Sequence, residues 1–142
     1  MAELQTVRVK LDDGALAPTR AHDIDAGADL FTPHALVVPA RGSAKVDTGV
    51  HMEIPAGYAG FLKSKSGLNV KHGIISDGTI DAGYTGSIVV KLYNLSDAPY
   101  RFRAGDKVTQ IVIQSVETPT FDFVESIEGG ERGDAGFGSS GK

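Results

Sequence analysis

Hydrophobic and polar residues alternate with a period of two along much of the chain. Val7, Val9 and Leu11 alternate with Arg8 and Lys10, and within Thr48–Ile54 the side chains of Val50, Met52 and Ile54 share a face opposite Gly49, His51 and Glu53. Such alternation predicts half-buried β-strands. Ser87–Asn94 (SIVVKLYN) and Lys107–Val116 (KVTQIVIQSV) are more continuously apolar and rich in β-branched residues, which predicts central strands covered on both faces. Turn signals recur at intervals of about 8 to 12 residues. They are Asp12-Asp13-Gly14, Pro39 to Gly42, Pro55-Ala56-Gly57, Asp77-Gly78, Ser96 to Pro99 and Ala104-Gly105-Asp106. This spacing predicts an all-β sandwich or barrel. The one helix expected is short, Ser66–His72 (SGLNVKH), with Ser66 as its cap and Gly73 as its stop.

The length of 142 residues suits one domain, and 41% hydrophobic with 23% charged residues is the balance of a globular core. The composition changes only at the end, where Ser126–Lys142 (SIEGGERGDAGFGSSGK) holds six glycines and only Ile127 and Phe137 as apolar residues. Such a segment buries too little apolar surface to offset its ordering entropy. The expected division is a β core over residues 1–125 and a flexible glycine-rich arm over 126–142. A net charge of −4 supplies no basic field for nucleic acid or an anionic membrane surface. The absence of cysteine excludes disulfides, thiolate nucleophiles and cysteine-bound metals. With no apolar run of membrane-span length and no signal-type N-terminus, the expected compartment is cytoplasmic. The four histidines, His22, His34, His51 and His72, lack metal-ligand spacing.

Five segments offer chemistry. Ala26–Leu30 (AGADL) places Asp29 at the entry of a strand, where it either holds a magnesium ion through water or ends a turn. Ser64-Lys65-Ser66-Gly67 brings hydroxyls, a cation and free N–H groups to the helix start, as an anion site or a plain cap. Gly78–Gly86 (GTIDAGYTG) carries Asp81 and, three residues later, Tyr84. The carboxylate suits proton abstraction from water and the ring suits packing on a sugar, although a simple turn with a solvated Asp fits too. Gly105–Ile113 (GDKVTQIVI) sets Gln110 in a β-branched strand, where its amide must find partners in the sheet or in a ligand. The arm supplies Arg132, Phe137, Gly138, Ser139 and Ser140, a guanidinium, a stacking ring and hydrogen-bond donors for phosphate. Gly136–Lys142 (GFGSSGK) imitates the start of a Walker A loop, but no helix follows to complete one.

In the order AGADL, SKSG, GTIDAGY, GDKVTQ and RGDAGFGSSG, these segments resemble the five motifs of the trimeric dUTP pyrophosphatases (dUTPases), across nearly the whole chain. The resemblance implies a β jelly roll assembled as a homotrimer with shared active sites. It also implies hydrolysis of dUTP to dUMP and pyrophosphate with Mg2+ on the triphosphate. By that resemblance Asp81 activates the attacking water and Tyr84 packs on deoxyribose, excluding a 2′-hydroxyl. Asp29 holds metal-bound water, while Lys65, Ser66, Gly67 and Gln110 face the phosphates, and one of Ser76, Asp77 or Gly78 in the backbone before Asp81 reads uracil. In the arm, Arg132 reaches the γ-phosphate, Phe137 covers the base, and Gly138, Ser139 and Ser140 donate to the terminal phosphates.

Three positions depart from the family pattern: Lys65 stands for the usual Arg, Gly83 for an acidic residue, and Ala135 for a tail glycine. The dCTP deaminases share the fold and a similar hairpin, but carry a catalytic glutamate on the following strand where this chain has Lys91. A non-catalytic module that switches partner binding with nucleotide is the alternative from a different class.

Overall fold

The computed structural model describes residues 6–136. The elements run β1 (Arg8–Leu11), β2 (Gly27–Phe31), β3 (Leu36–Val38), β4 (Ser43–Asp47), β5 (Val50–Glu53), β6 (Tyr58–Lys63), α1 (Ser66–His72), β7 (Ile74–Ile80), β8 (Val89–Asn94), β9 (Tyr100–Phe102) and β10 (Lys107–Ser115). An antiparallel six-stranded sheet in the order β2-β10-β6-β7-β8-β4 is accompanied by two ribbons, β1-β5 and β3-β9. One apolar cluster draws on all three: Val38 and Phe102 from one ribbon, Val50 and Met52 from the other, and Leu30, Leu62, Ile74, Leu92 and Ile111 from the large sheet. Sheets that share one core in this way form the all-β architecture with a single short helix that the alternating pattern predicts, in the jelly-roll-like arrangement that the resemblance implies.

The helix spans Ser66–His72 as expected, and Gly73 ends it in the left-handed conformation, at φ 68°. Its cap position is Lys65 rather than Ser66, with no side-chain cap bond, so Ser66 is the first helical residue and its hydroxyl is not used for capping. Strand β5 buries Val50 and Met52, and Ile54 directly after it is buried too, as the alternation requires.

Three expectations are corrected. In β1, Val9 and Leu11 are exposed, because this strand pairs only with β5 and no further layer covers it. Strand β8 is not covered on both faces. Val90, Leu92 and Asn94 are buried, whereas Val89, Lys91 and Tyr93 face outward, so the continuous apolar run conceals a strict alternation. Asp77-Gly78 is not a turn but lies inside β7, opposite Lys63 and Leu62 of β6. Here the glycine reflects close packing, since a Cβ on Gly78 would sit 3.2 Å from Leu62 Cδ1.

Beyond Ser115, Val116 N–H donates to Gly57 O at 2.9 Å, and residues 117–136 are exposed without strand or helix. Among the described residues no helix is long and apolar enough to cross a membrane.

The alternation in β8 has a direct consequence for stability. Leu92→Ala should cost about 2–5 kcal/mol through cavity formation, whereas the adjacent Lys91→Ala should cost less than about 0.5 kcal/mol. Urea unfolding midpoints of the two variants check this.

Candidate active site

One row of residues crosses the large sheet: Asp29 on β2 faces Gln110 on β10, which faces Lys63 on β6, which in turn faces Asp77 on β7. Asp29 lies within β2, with its residue only 3% exposed, rather than at the strand's entry. Its backbone forms a bridge with Thr19, N–H to O at 2.6 Å and O from N–H at 3.2 Å. Two ammonium groups meet its carboxylate. Lys65 Nζ donates to Oδ1, and Lys107 Nζ lies 3.2 Å from Oδ2. Burial pushes the Asp29 carboxyl up, but the hydrogen bonds from Lys65 and Lys107 outweigh it and hold the group below its ordinary value of 3.8.

The Gln110 amide lies over Gly27, where any Cβ would overlap its oxygen, and its Nε2 donates to Ser64 O at 3.0 Å. One of the amide's two N–H groups is thereby satisfied by a backbone carbonyl just beyond β6. Ser64 Oγ donates to Ser76 O at 3.1 Å and accepts from Ser76 N–H at 3.0 Å. Thr109 Oγ1 donates to Lys63 O at 3.0 Å and lies 2.8 Å from Ser76 Oγ. Asp29, Lys65 and Gln110 are thus brought together on a satisfied polar support. Ser66 and Gly67 follow at the start of α1, and a groove of about 410 Å³ opens there, lined by Lys65, Gly67, Leu68, Tyr100, Phe102, Arg103, Asp106 and Lys107. Tyr100 packs edge-on to Phe102 at 4.7 Å and against His72 at 4.8 Å.

Sequence reasoning assigned no chemistry to Lys107, Arg103 or Thr109, and the Ser64 hydroxyl, offered there to an anion, bonds Ser76 instead. Lys107 and Gln110 are three residues apart, which in a regular strand places them on opposite faces. The register shifts between Lys107 and Thr109 in the pairing of β10 with β2, and this irregularity brings Lys107 to Asp29.

Asp81 and Tyr84 lie elsewhere. Asp81 follows β7 four residues after Asp77, about 13 Å along the strand from the Asp29 row. Tyr84 N–H donates to Asp81 O at 3.1 Å, closing a turn, and Tyr84 Oη donates to Ser87 O at 2.7 Å. The phenol lies against Gly86, where a Cβ would come within 2.6 Å of Tyr84 Oη, so only glycine admits this ring position. After Ser76 the β7–β8 ladder opens, leaving Asp77–Ile80, with Gly78, unpaired on that side.

The stretch between β7 and β8 rests on the β4–β5 corner. Ile88 N–H donates to Val50 O at 2.8 Å, and Thr48 donates to Ile88 O through N–H at 3.0 Å and Oγ1 at 2.7 Å. Ser87 Oγ donates to Asp47. His51, one of the four histidines without metal-ligand spacing, has Nδ1 2.7 Å from Thr85 O and Nε2 3.0 Å from both carboxylate oxygens of Asp12.

Arg132 donates from Nη2 to Ala135 O and Gly136 O, each at 2.9 Å, in an exposed turn, and bonds to no core residue among those described. Phe137, Gly138, Ser139 and Ser140 lie outside the described residues.

The dUTPase family model matches residues 13–141. A deoxyuridine 5′-triphosphate nucleotidohydrolase of Thermobifida fusca is 43% identical over 96% of this chain and 80% of its own length. One from Mycobacterium marinum is 44% identical over 94% of this chain and 92% of its own. The structure of the Staphylococcus bacteriophage 80alpha dUTPase with dUPNHPP matches with a TM-score of 0.87 and 34% identity, covering 98% of this chain and 100% of that one.

The Asp29 pairing predicts an acid limb. A carboxyl held below 3.8 in the folded state contributes stability above that value, lost as pH falls through the lowered one. Lys107→Met removes one of the two lowering partners, so the acid-unfolding midpoint should move to higher pH, with a loss at neutral pH of about 1 kcal/mol because Lys107 is half exposed. Urea titrations over a series of pH values check both.

Proposed function

Because the chain belongs to the dUTPase family, we propose that it hydrolyses dUTP to dUMP and pyrophosphate, keeping uracil out of DNA and supplying dUMP for dTMP synthesis. The observation that carries the details is the separation of two residue groups on one chain. Lys65, Ser66, Gly67 and Gln110 gather at one end of the large sheet, and Asp81 and Tyr84 at the end of β7. A site that needs both is completed by a second copy. A homotrimer with shared active sites meets that need, and the outward apolar residues Val89, Tyr93, Phe121 and Phe123 are surface that such an assembly would cover.

In this reading the Asp81 carboxylate accepts a proton from water as the water oxygen bonds to the α-phosphorus. The bond from that phosphorus to the α–β bridging oxygen breaks, and pyrophosphate departs. Lys65, Ser66, Gly67 and Gln110 receive the phosphates, and this preorganised positive surface stabilises the charge that builds up during the displacement. Tyr84, fixed by Ser87 O and by Gly86, packs on deoxyribose and leaves no space for a 2′-hydroxyl. The open edge of β7 at Gly78 offers backbone donors and acceptors to uracil, as an added strand would use them. The arm over 126–142 closes the site, with Arg132 toward the γ-phosphate, Phe137 over the base, and Gly138, Ser139 and Ser140 on the terminal phosphates. The proposed compartment is the cytoplasm.

The described residues do not fit a protein-held magnesium ion. None of them form a group of three His, Asp or Glu, and the buried Asp29 carboxylate is engaged by two lysines rather than offered to a hydrated cation. Mg2+ would instead come with the triphosphate, where it would offset part of the phosphate charge. The role supported for Asp29 is to anchor Lys65 and Lys107.

Asp81→Asn should lower dUTP turnover by about 10²–10⁴ while dUPNHPP still binds; full turnover by this variant would remove Asp81 as the base. Co-refolding Asp81→Asn chains with Gln110→Ala chains should restore part of the activity that neither has alone, because some sites in mixed trimers then combine two intact contributions. A pyrophosphate-release assay reads both experiments, and complementation that never appears would overturn the shared site.

A further inference from the structure

The stretch Asp81–Gly86 follows the last residue of β7 and precedes β8, so no sheet ladder holds it. One bond is internal, from Tyr84 N–H to Asp81 O, and a second runs from Tyr84 Oη to Ser87 O, just beyond the stretch and itself tied to Asp47 through Ser87 Oγ. Among the described residues, the one hydrogen bond that joins residues 81–86 directly to an element outside the β7–β8 connection runs from His51 to Thr85 O, the carbonyl immediately after Tyr84.

The geometry determines the charge state of that ring. A carbonyl oxygen only accepts, so Nδ1, at 2.7 Å from Thr85 O, carries a proton. An ionised carboxylate only accepts, so Nε2, at 3.0 Å from both Asp12 oxygens, carries one as well. A neutral imidazole has a single proton and cannot serve both partners. We infer that His51 is a positioning residue whose imidazolium clamps the Thr85 carbonyl and the Asp12 carboxylate together, fixing the seat of Tyr84 and with it the preference for deoxyribose over ribose. This rests on the reading of Tyr84 as the surface that packs on the sugar.

The groups facing the ring support the charged form. The hydrogen bond to Thr85 O and then that to Asp12 raise His51 above its ordinary 6.5, and partial burial opposes them. Asp47, on the adjoining corner, adds a second negative charge nearby. Lys10, directly opposite His51 in the β1–β5 ladder, pulls the other way and is outweighed. Asp12 is correspondingly held below 3.8, chiefly by its bond from His51. The direction of the pH effect follows. A raised folded-state value means that the clamp is complete below 6.5 and is lost as pH rises through the raised value. Asp81 directly follows Ile80, which is still paired to Gly60, so releasing Thr85 disturbs the sugar contact more than the base.

The test is the ratio of kcat/KM for dUTP to that for UTP, measured across pH on the full-length protein, with KM and kcat resolved. In the parent protein the ratio should fall roughly tenfold as pH rises through the His51 transition, the worth of one charge-assisted hydrogen bond. The fall should appear in a higher KM for dUTP while kcat is largely retained. His51→Gln should show the lowered ratio at every pH with no transition. Asp12→Asn, which removes the main stabilising charge, should keep the transition but shift it to lower pH. A His51→Gln profile that titrates like the parent, or an Asp12→Asn transition that does not move, overturns the inference. Imidazole NMR titration, with the His51 signal identified by its absence from His51→Gln, separates the two layers. If the ring titrates above 6.5 in a protein that does not hydrolyse dUTP, the reading of the site fails and the clamp stands. If dUTP is hydrolysed and the ring titrates at or below 6.5, the clamp fails.

Discussion

A carboxylate buried inside a sheet is tolerated only when cations and hydrogen bonds replace the water it has lost, and the end of the molecule that bears Lys65 is organised around that requirement at Asp29. Lys65 and Lys107 each take one of its oxygens. To do so they must come from different segments, the loop into α1 and the start of β10, and β10 must break its register to deliver Lys107. Once both are present, Gln110 faces Asp29 across the ladder, folds over Gly27 and bonds Ser64 O, which ties the start of the α1 loop to the same sheet. Ser64, Ser76 and Thr109 then complete the support, and no buried side-chain polar atom among the described residues is left without a partner.

The end of β7 is built on different terms. The sheet stops supporting the chain where the β7–β8 ladder opens, and the following loop is held by the β4–β5 corner through Thr48, Asp47 and His51. One region is thus a rigid, charged floor, and the other is a loop whose position depends on a few specific bonds. Local stability of this kind is set by the number and strength of such anchors rather than by the core. A single imidazolium can therefore set the position of that loop, whereas Val90 and Leu92 act on the stability of the whole core.

Much of this was legible in the chain's pattern. The alternation at Val50, Met52 and Ile54 gives β5, the helix and its Gly73 stop are where the local signals put them, and the five motif segments include Asp29, Lys65, Gln110, Asp81 and Tyr84. What escaped has identifiable causes. Asp77-Gly78 reads as a turn because composition does not distinguish a glycine that bends the chain from one that lets Leu62 approach. The run at Val89–Leu92 reads as doubly covered because Val89 and Tyr93 are apolar yet outward. Lys107 needs a bulge to reach its partner, and period-two reasoning assumes that there is none. His51 faces outward from a strand, and its partners Asp12 and Thr85 are 39 and 34 residues away, so only the folded chain brings them together.

The replacement of the family's usual arginine by Lys65 acquires a physical meaning in this setting. An arginine can grip both oxygens of a carboxylate with its planar fork, whereas a lysine ammonium is a compact charge that serves one oxygen here. The second oxygen is then open to Lys107, and the pair of lysines does by division what one guanidinium does by shape. Around the adjoining groove stand three cations, Lys65, Arg103 and Lys107, against the carboxylates of Asp29 and Asp106. The groove is therefore locally positive on a chain whose net charge is −4. A local field of that sign draws a polyanion to one place while the surplus negative charge elsewhere disfavours other anionic surfaces.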